Sequence, residues 1–271
     1  VDMSGSLVAQ LMIGVLAPAS YVSYNILAIL CCAALLPLTL TKVPQPETPK
    51  APRLRPMLAF ERSPLAAAGV VVAALSAASF RMVGPLYGQE VGLSIGQIAW
   101  FLSVFVLGGA LAQYPAGWLA DKYDRRWVLI WLSVAAMLSC GVTVMSTGFG
   151  TTGIMITAFL FGLTSFPIFS VAAAHAHDFA DDSERVELSA ALMFYYALGA
   201  IAAPYGASVL INAFGPSALF VLIASGHALL IIFGLTRMLA RPTPSDKTDY
   251  IYAPRTSFIV GRLNRRKRQK D

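Results

Sequence analysis

The sequence predicts an all-α, polytopic membrane helix bundle of about eight transmembrane helices. Three observations carry this reading. The first is composition: 57% of the 271 residues are hydrophobic, 13% are charged, and the mean hydropathy is +0.67. A soluble domain carries roughly a quarter charged residues, and one core could not hide this much apolar surface from water. The second is that the apolar residues gather into runs near the ~20 residues that cross a bilayer as a helix. The third is that Lys and Arg cluster on every second connection between those runs.

The predicted spans, in order, are Ser6–Pro18, Ser23–Leu40, Leu65–Tyr87, Ile98–Leu119, Trp127–Met145, Thr152–Ala174, Leu188–Ile211 and Ala218–Leu239. The first is short for a bilayer. Turn chemistry separates them: Pro18 with Ser20, Gly88 and Gly92, Gly148 and Gly150, and Gly215-Pro216. The segment 41–63 is rich in Pro and charge, so it reads as a connecting loop. The tail 241–271 is polar and ends in a run of Arg and Lys. The expected organisation is two helices over 1–40, the loop 41–63, six helices over 64–240, and the basic tail.

Charge tests this alternation. The loop 41–63, the turn 120–126, the loop 175–187 and the tail, counted from Arg237, hold nineteen of the twenty Lys and Arg. The opposite connections hold none, and the twentieth is Arg81, inside the third span. Cytoplasmic connections carry the excess of Lys and Arg, so the basic side and the C-terminus are expected in the cytoplasm. The same placement explains the net charge of +6 without nucleic acid, for which no recognition motif is present. Cys31, Cys32 and Cys140 lie in apolar runs and read as small packing residues. The chain begins with Val and its first run lacks a basic leader, so no signal peptide is expected, and a start inside a longer protein is.

The turn after the fourth span reads Gly117-Trp-Leu119-Ala120-Asp121-Lys122-Tyr-Asp124-Arg125-Arg126. It resembles the loop signature of the major facilitator superfamily, with Asp124 where the pattern usually has Gly. Gly117 suits close helix approach, Asp121 suits pairing at a helix end, and Arg125 and Arg126 are expected at the lipid headgroups. The resemblance implies twelve helices in two six-helix halves joined by a long loop. The last two helices of the first half and a complete second half would then be present. LAQYPAGWLADK, FPIFS and the Gly199–Pro204 helix are similar to the YcaD-type bacterial group.

The resemblance implies a solute path between the halves near the midplane, lined by the third and sixth spans. Candidates along it are Arg81, Ser79, Gln113, Tyr114, Thr164, Ser165, Tyr195 and Tyr196. Arg81 suits an anionic solute group or a carboxylate of the absent half, but also snorkelling to the interface. The neutral groups equally suit helix–helix contacts or interfacial positions. Gly84 with Pro85, Pro167, and Pro204 are candidate kinks. His175, His177 and Asp178 at the end of the sixth span have poor metal spacing and read as a helix terminus or gate contact.

The function expected from the resemblance is a secondary transporter in a bacterial inner membrane. It would move a small organic solute by alternating access, coupled to protons. No internal Asp or Glu lies within a span, so a coupling carboxylate would belong to the absent half. No cofactor and no metal are expected; the expected partners are the bilayer, the solute, a proton and the absent N-terminal half. A membrane-embedded enzyme lacks a convergent catalytic set here, and a non-transporting membrane subunit or fragment is the other alternative.

Overall fold

The computed structural model describes residues 5, 7–9, 12, 16, 20–40, 54–145 and 150–240. The span predicted over Ser6–Pro18 falls largely outside these residues, as do 41–53 of the loop, Gly148 and the tail 241–271. Among the described residues there is no strand. The helices are α1 (Tyr21–Leu40), α2 (Met57–Arg62), α3 (Pro64–Glu90), α4 (Ile95–Lys122), α5 (Arg125–Met145), α6 (Gly150–Ser165), α7 (Pro167–His177), α8 (Arg185–Phe214) and α9 (Ala218–Ala240). Six stretches are long and apolar enough to cross a bilayer: α3, α4, α5, α6 with α7, α8 and α9. Helix α1 is apolar and mostly exposed, and its continuous apolar stretch is the shorter Tyr21–Pro37.

Local chemistry sets the boundaries. Ser63 caps α3, its hydroxyl accepting from Ala66 N at 3.2 Å, and Pro64 stands at N1 where its missing N–H is harmless. Ser94 and Gln97 form a reciprocal capping box at the start of α4. At the turns, Gly92, Gly150 and Gly215 hold φ of +83°, +68° and +85°, a region costly for residues with a Cβ.

The six spanning stretches alternate in direction along the chain, and the most extensive contacts join parallel pairs, α3 with α8 and α4 with α6, with α5 and α9 packed antiparallel. Helix α3 sits centrally, touching α8, α9, α7 and α4, while α5 packs against α9, α6 and α7. The core has two layers. Toward the Gly92 and Gly215 turns it is aromatic, with Phe80, Phe101, Phe105, Phe161, Phe220 and Tyr87 buried together. Phe80 stacks on Phe105 with ring centres 4.0 Å apart. Toward Ser63 and His175 it is aliphatic, built on Leu65, Val70, Leu129, Ile168 and Leu188. We call this second end the basic end, since Arg62, Arg125, Arg126 and Arg237 lie there.

Helices α4 and α6 approach so closely that backbone meets backbone. A Cβ on Gly108 would fall inside contact distance of the Phe159 carbonyl, and one on Gly162 inside that of Phe105. Small residues at such crossings are how membrane helices gain dispersion contact when lipid removes the hydrophobic drive.

One expectation is corrected. The segment 41–63 was expected to be loop throughout, but Met57–Arg62 is helical. Its Leu58 and Ala59 are almost wholly buried beneath α3 and α8, and Phe60 meets the Tyr195 ring edge-on at 5.0 Å. Burial of this short apolar run outweighs the Pro and charge around it.

Candidate functional site

The signature turn occupies the basic end between α4 and α5. Arg125 opens α5 and points into the bundle, not toward headgroups: its side chain is 1% exposed. Its guanidinium donates to the Asp178 carboxylate at 2.5 Å, to the Ala174 carbonyl at 3.0 Å and to Asp121 at 3.3 Å. Asp178 follows the last residue of α7 and is itself 3% exposed on its side chain. One arginine thus ties the end of α4, the start of α5 and the end of α7. Charge-assisted bonds are the strong class of hydrogen bond, and a cation here also complements the carbonyl end of α7.

Asp124 accepts from the backbone N of Arg126 at 3.0 Å, while Val128 N donates to its carbonyl at 3.1 Å. It is therefore the N-cap of α5. This accounts locally for an aspartate where the signature usually has glycine: the backbone has no positive φ here, and a side-chain acceptor is used. The same carboxylate pairs with Arg126, which is 7% exposed, at 2.8 Å. The headgroup role expected of Arg125 and Arg126 is thus replaced by two inward ion pairs. Lys122 instead lies on the exposed side, over the Trp118 ring at 4.8 Å. Gly117 and Ala120 are buried against the bundle, with Leu119 half-buried.

A second ionic set joins α2 to the α7–α8 connection. Arg62 pairs with Glu184 at 2.6 Å and with Asp181 at 3.7 Å, and Arg55 with Glu187 at 3.4 Å. The bonded Arg62 guanidinium holds the Glu184 carboxyl below the usual carboxylate range, and the charges of Arg62 and Arg55 add to this.

Arg81 lies on an uncovered part of α3, its guanidinium carbon 5.7 Å from the centre of the Phe166 ring. Phe166 is the junction residue between α6 and α7, where Pro167 begins a new helix. Its ring packs 4.8 Å from Phe105 and against Gly109, which has no Cβ to obstruct it. One turn toward the basic end, Ser170 donates to Gln113 Oε1 at 3.4 Å. Tyr114 beside it is 84% exposed. Helices α3 and α8 run uninterrupted through Pro85 and Pro204.

The remaining candidates go elsewhere. Ser79 and Ser165 are buried with no hydroxyl partner among the described residues. Thr164 donates back to the Leu160 and Phe161 carbonyls, which restrains α6 just before its junction. Tyr195 meets Phe60 on α2, and Tyr196 meets Phe169 edge-on at 5.3 Å. His175, His177 and Asp178 do not converge. His175 is buried against Phe179, His177 contacts Ser189 at 3.1 Å, and Asp178 is taken by Arg125.

One polar pair had no signal beyond a histidine in the last apolar run. His227 on α9 is fully buried, with Nε2 3.0 Å from Ser76 Oγ on α3. The Ser76 oxygen also lies 2.9 Å from the Val72 carbonyl, so the hydroxyl sits between the imidazole and the α3 backbone. The contact fastens α9 to α3. Ser76→Ala leaves the buried Nε2 without this partner and is expected to lower stability by about 1 kcal/mol. Thermal melts of the purified protein check this, and Ser76→Ala with His227→Leu should recover part of the loss.

A bundle of six bilayer-length helices, with a charged turn locked between helices at one end and an exposed arginine within one spanning helix, defines a polytopic membrane protein. The family model of the Major Facilitator Superfamily matches residues 65–268, and the chain belongs to that family. Its relatives include an uncharacterized MFS-type transporter of Enterobacter sp. (strain 638), 28% identical over 214 residues, 78% of this chain and 55% of the relative. A second, of Yersinia enterocolitica, is 25% identical over 248 residues, 91% of this chain and 62% of the relative. The uncharacterized MFS-type transporter YcaD of Escherichia coli O7:K1 is 28% identical over 217 residues, 79% of this chain and 56% of the relative. The chain thus spans little more than half the length of the relatives it matches.

Proposed function

We propose that this chain supplies one bundle of a secondary transporter that moves a small organic solute by alternating access, coupled to protons. The second bundle would be an N-terminal half, of which residues 1–40 are the last two helices and 41–63 the connecting segment. The observation that carries this reading is the Arg125 bridge. It couples the signature turn to α7, so a movement of the turn is transmitted to the helix that begins at Phe166 and Pro167. Rocking of one bundle against another requires each bundle to move as a unit, and a buried ion pair joining three helices supports that. The basic end faces the cytoplasm on the charge argument, in a bacterial inner membrane. Arg81, Gln113 and Tyr114 are the described polar groups that fit the path best, with Ser79, Thr164, Ser165, Tyr195 and Tyr196 behind or beside it.

The test is flux of radiolabelled solutes into proteoliposomes holding the full-length transporter, with and without an imposed pH gradient. Accumulation of at least one solute, dependent on that gradient, is expected. Absence of flux across a broad panel of sugars, amino acids, organic acids and amines overturns the reading.

A further inference from the structure

We propose that the solute is an organic anion with an aromatic or apolar body, its negative group held by Arg81 and its body laid along Phe166. This rests on the transport reading and names a substrate class for it.

The direction of the Arg81 side chain carries the argument. Arg81 stands nine residues from the Glu90 end of α3, about 13 Å at 1.5 Å per residue. Phe166 stands sixteen residues from the Gly150 end of α6, which lies at the same face of the bundle, about 24 Å deep. The guanidinium reaches the deeper residue. Cα–Cβ bonds tilt toward a helix N-terminus, which for α3 is the basic end, so the arm is directed inward from its root. Snorkelling would send it the other way, to the nearer surface. The cation is therefore held toward mid-depth.

A cation held there needs a reason. Guanidinium does not lose its proton, and placing it in lipid is costly. Among the described residues Arg81 makes no ion pair, and the acidic groups of the spanning helices stand at helix ends, as Glu90, Asp121 and Glu187 do. Arg81 is exposed on α3, and Phe166, at the junction of α6 and α7, is half-buried, so the described helices leave this pair uncovered on one side. The pair thus lies on the surface that remains for a second bundle or a solute. Phe166 is a firm platform, seated between Phe105 and Gly109. The ring orients the guanidinium by cation–π attraction without neutralising it. A cation facing the same groups would be repelled. A guanidinium fork matches a carboxylate or similar planar anion in two parallel bonds, and Gln113 with Ser170 supplies neutral polar groups one turn on.

The test uses proteoliposomes with the full-length transporter and three shape-matched probes: benzoate, benzamide and benzylammonium. Benzoate flux at least ten-fold above the other two is expected. Arg81→Gln should lower benzoate flux at least ten-fold, Arg81→Lys should retain part of it, and Phe166→Leu should raise the half-saturating benzoate concentration several-fold. A monodisperse gel-filtration peak establishes folding. If Arg81→Gln does not fold, protection of the wild type and Arg81→Lys against heating by benzoate, and not by benzamide, becomes the deciding readout. Flux of a neutral or cationic probe that Arg81→Gln leaves unchanged overturns the substrate class and leaves the transport reading standing. Equal loss of all fluxes in a folded Arg81→Gln protein assigns Arg81 to a carboxylate of the other bundle and also overturns it. No flux of any solute by the wild type overturns the transport reading, and the substrate class with it.

Discussion

Asp178→Ala is expected to destabilise the protein by about 3 kcal/mol, because it removes the buried carboxylate that the Arg125 guanidinium holds most closely. Arg125 has nowhere to go. Its side chain is 1% exposed, and its other acceptors include the Ala174 carbonyl at 3.0 Å and the more exposed Asp121 at 3.3 Å. An uncompensated buried charge is the costly outcome, more so than loss of the attraction itself. Asp121 provides the contrast. Its side chain is 47% exposed, so Asp121→Asn is expected to cost no more than about 1 kcal/mol. Removing both members of the inner pair together, Arg125→Leu with Asp178→Leu, should be less damaging than Asp178→Ala alone. The measurement is the monodisperse fraction left after graded heating of each purified variant. A small loss for Asp178→Ala, or a double variant worse than either single one, would count against the buried bridge. The same variants carry a functional consequence under the transport reading: flux should fall in Asp178→Ala even where folded protein is recovered, since the turn no longer holds α7.

The membrane bundle and its six spans over 64–240 were legible because they depend on composition along one stretch of chain. Apolar length, turn glycines and the placement of Lys and Arg each report locally. What pairs across the bundle did not show. Arg125 and Asp178 are 53 residues apart, and both sit in segments whose charges read as solvated positions at a membrane surface. Burial of that turn depends on the neighbouring helices closing over it, which no local pattern encodes. His227 was hidden for a different reason. A single imidazole hardly interrupts an apolar run, and only the packing of α9 on α3 reveals that it pairs with Ser76. The helix Met57–Arg62 was masked by the prolines before it, although its apolar residues are what docks it. For Arg81 the depth of the Cα was legible and the direction of the side chain was not, and direction separates a snorkelling side chain from one held inward over Phe166.

Gly162→Val is expected to be the most damaging single change at any glycine of the bundle, at about 3 kcal/mol or more. A Cβ there would meet the backbone carbonyl of Phe105, and backbone of a packed helix cannot rotate aside as a side chain does. Gly108 presents the reciprocal problem against the Phe159 carbonyl, so the two positions form one crossing, and Gly108→Val should behave alike. Gly141 is the control. It lies within α5, nothing approaches within 4 Å of the Cβ position, and Gly141→Ala should raise stability by about 0.5–1 kcal/mol through helix propensity. Thermal melts of the three variants test the ordering, and tolerance of Gly162→Val would exclude the backbone contact. The crossing also has reach beyond stability. It sets how close α6 lies to α4, and the same approach seats Phe166 on Phe105 and Gly109. Prying the helices apart removes the floor under the ring that Arg81 faces. Under the proposed substrate class, any Gly108 or Gly162 variant that still folds, Ala being the mildest, should therefore lose benzoate affinity before it loses the Arg125 bridge at the basic end.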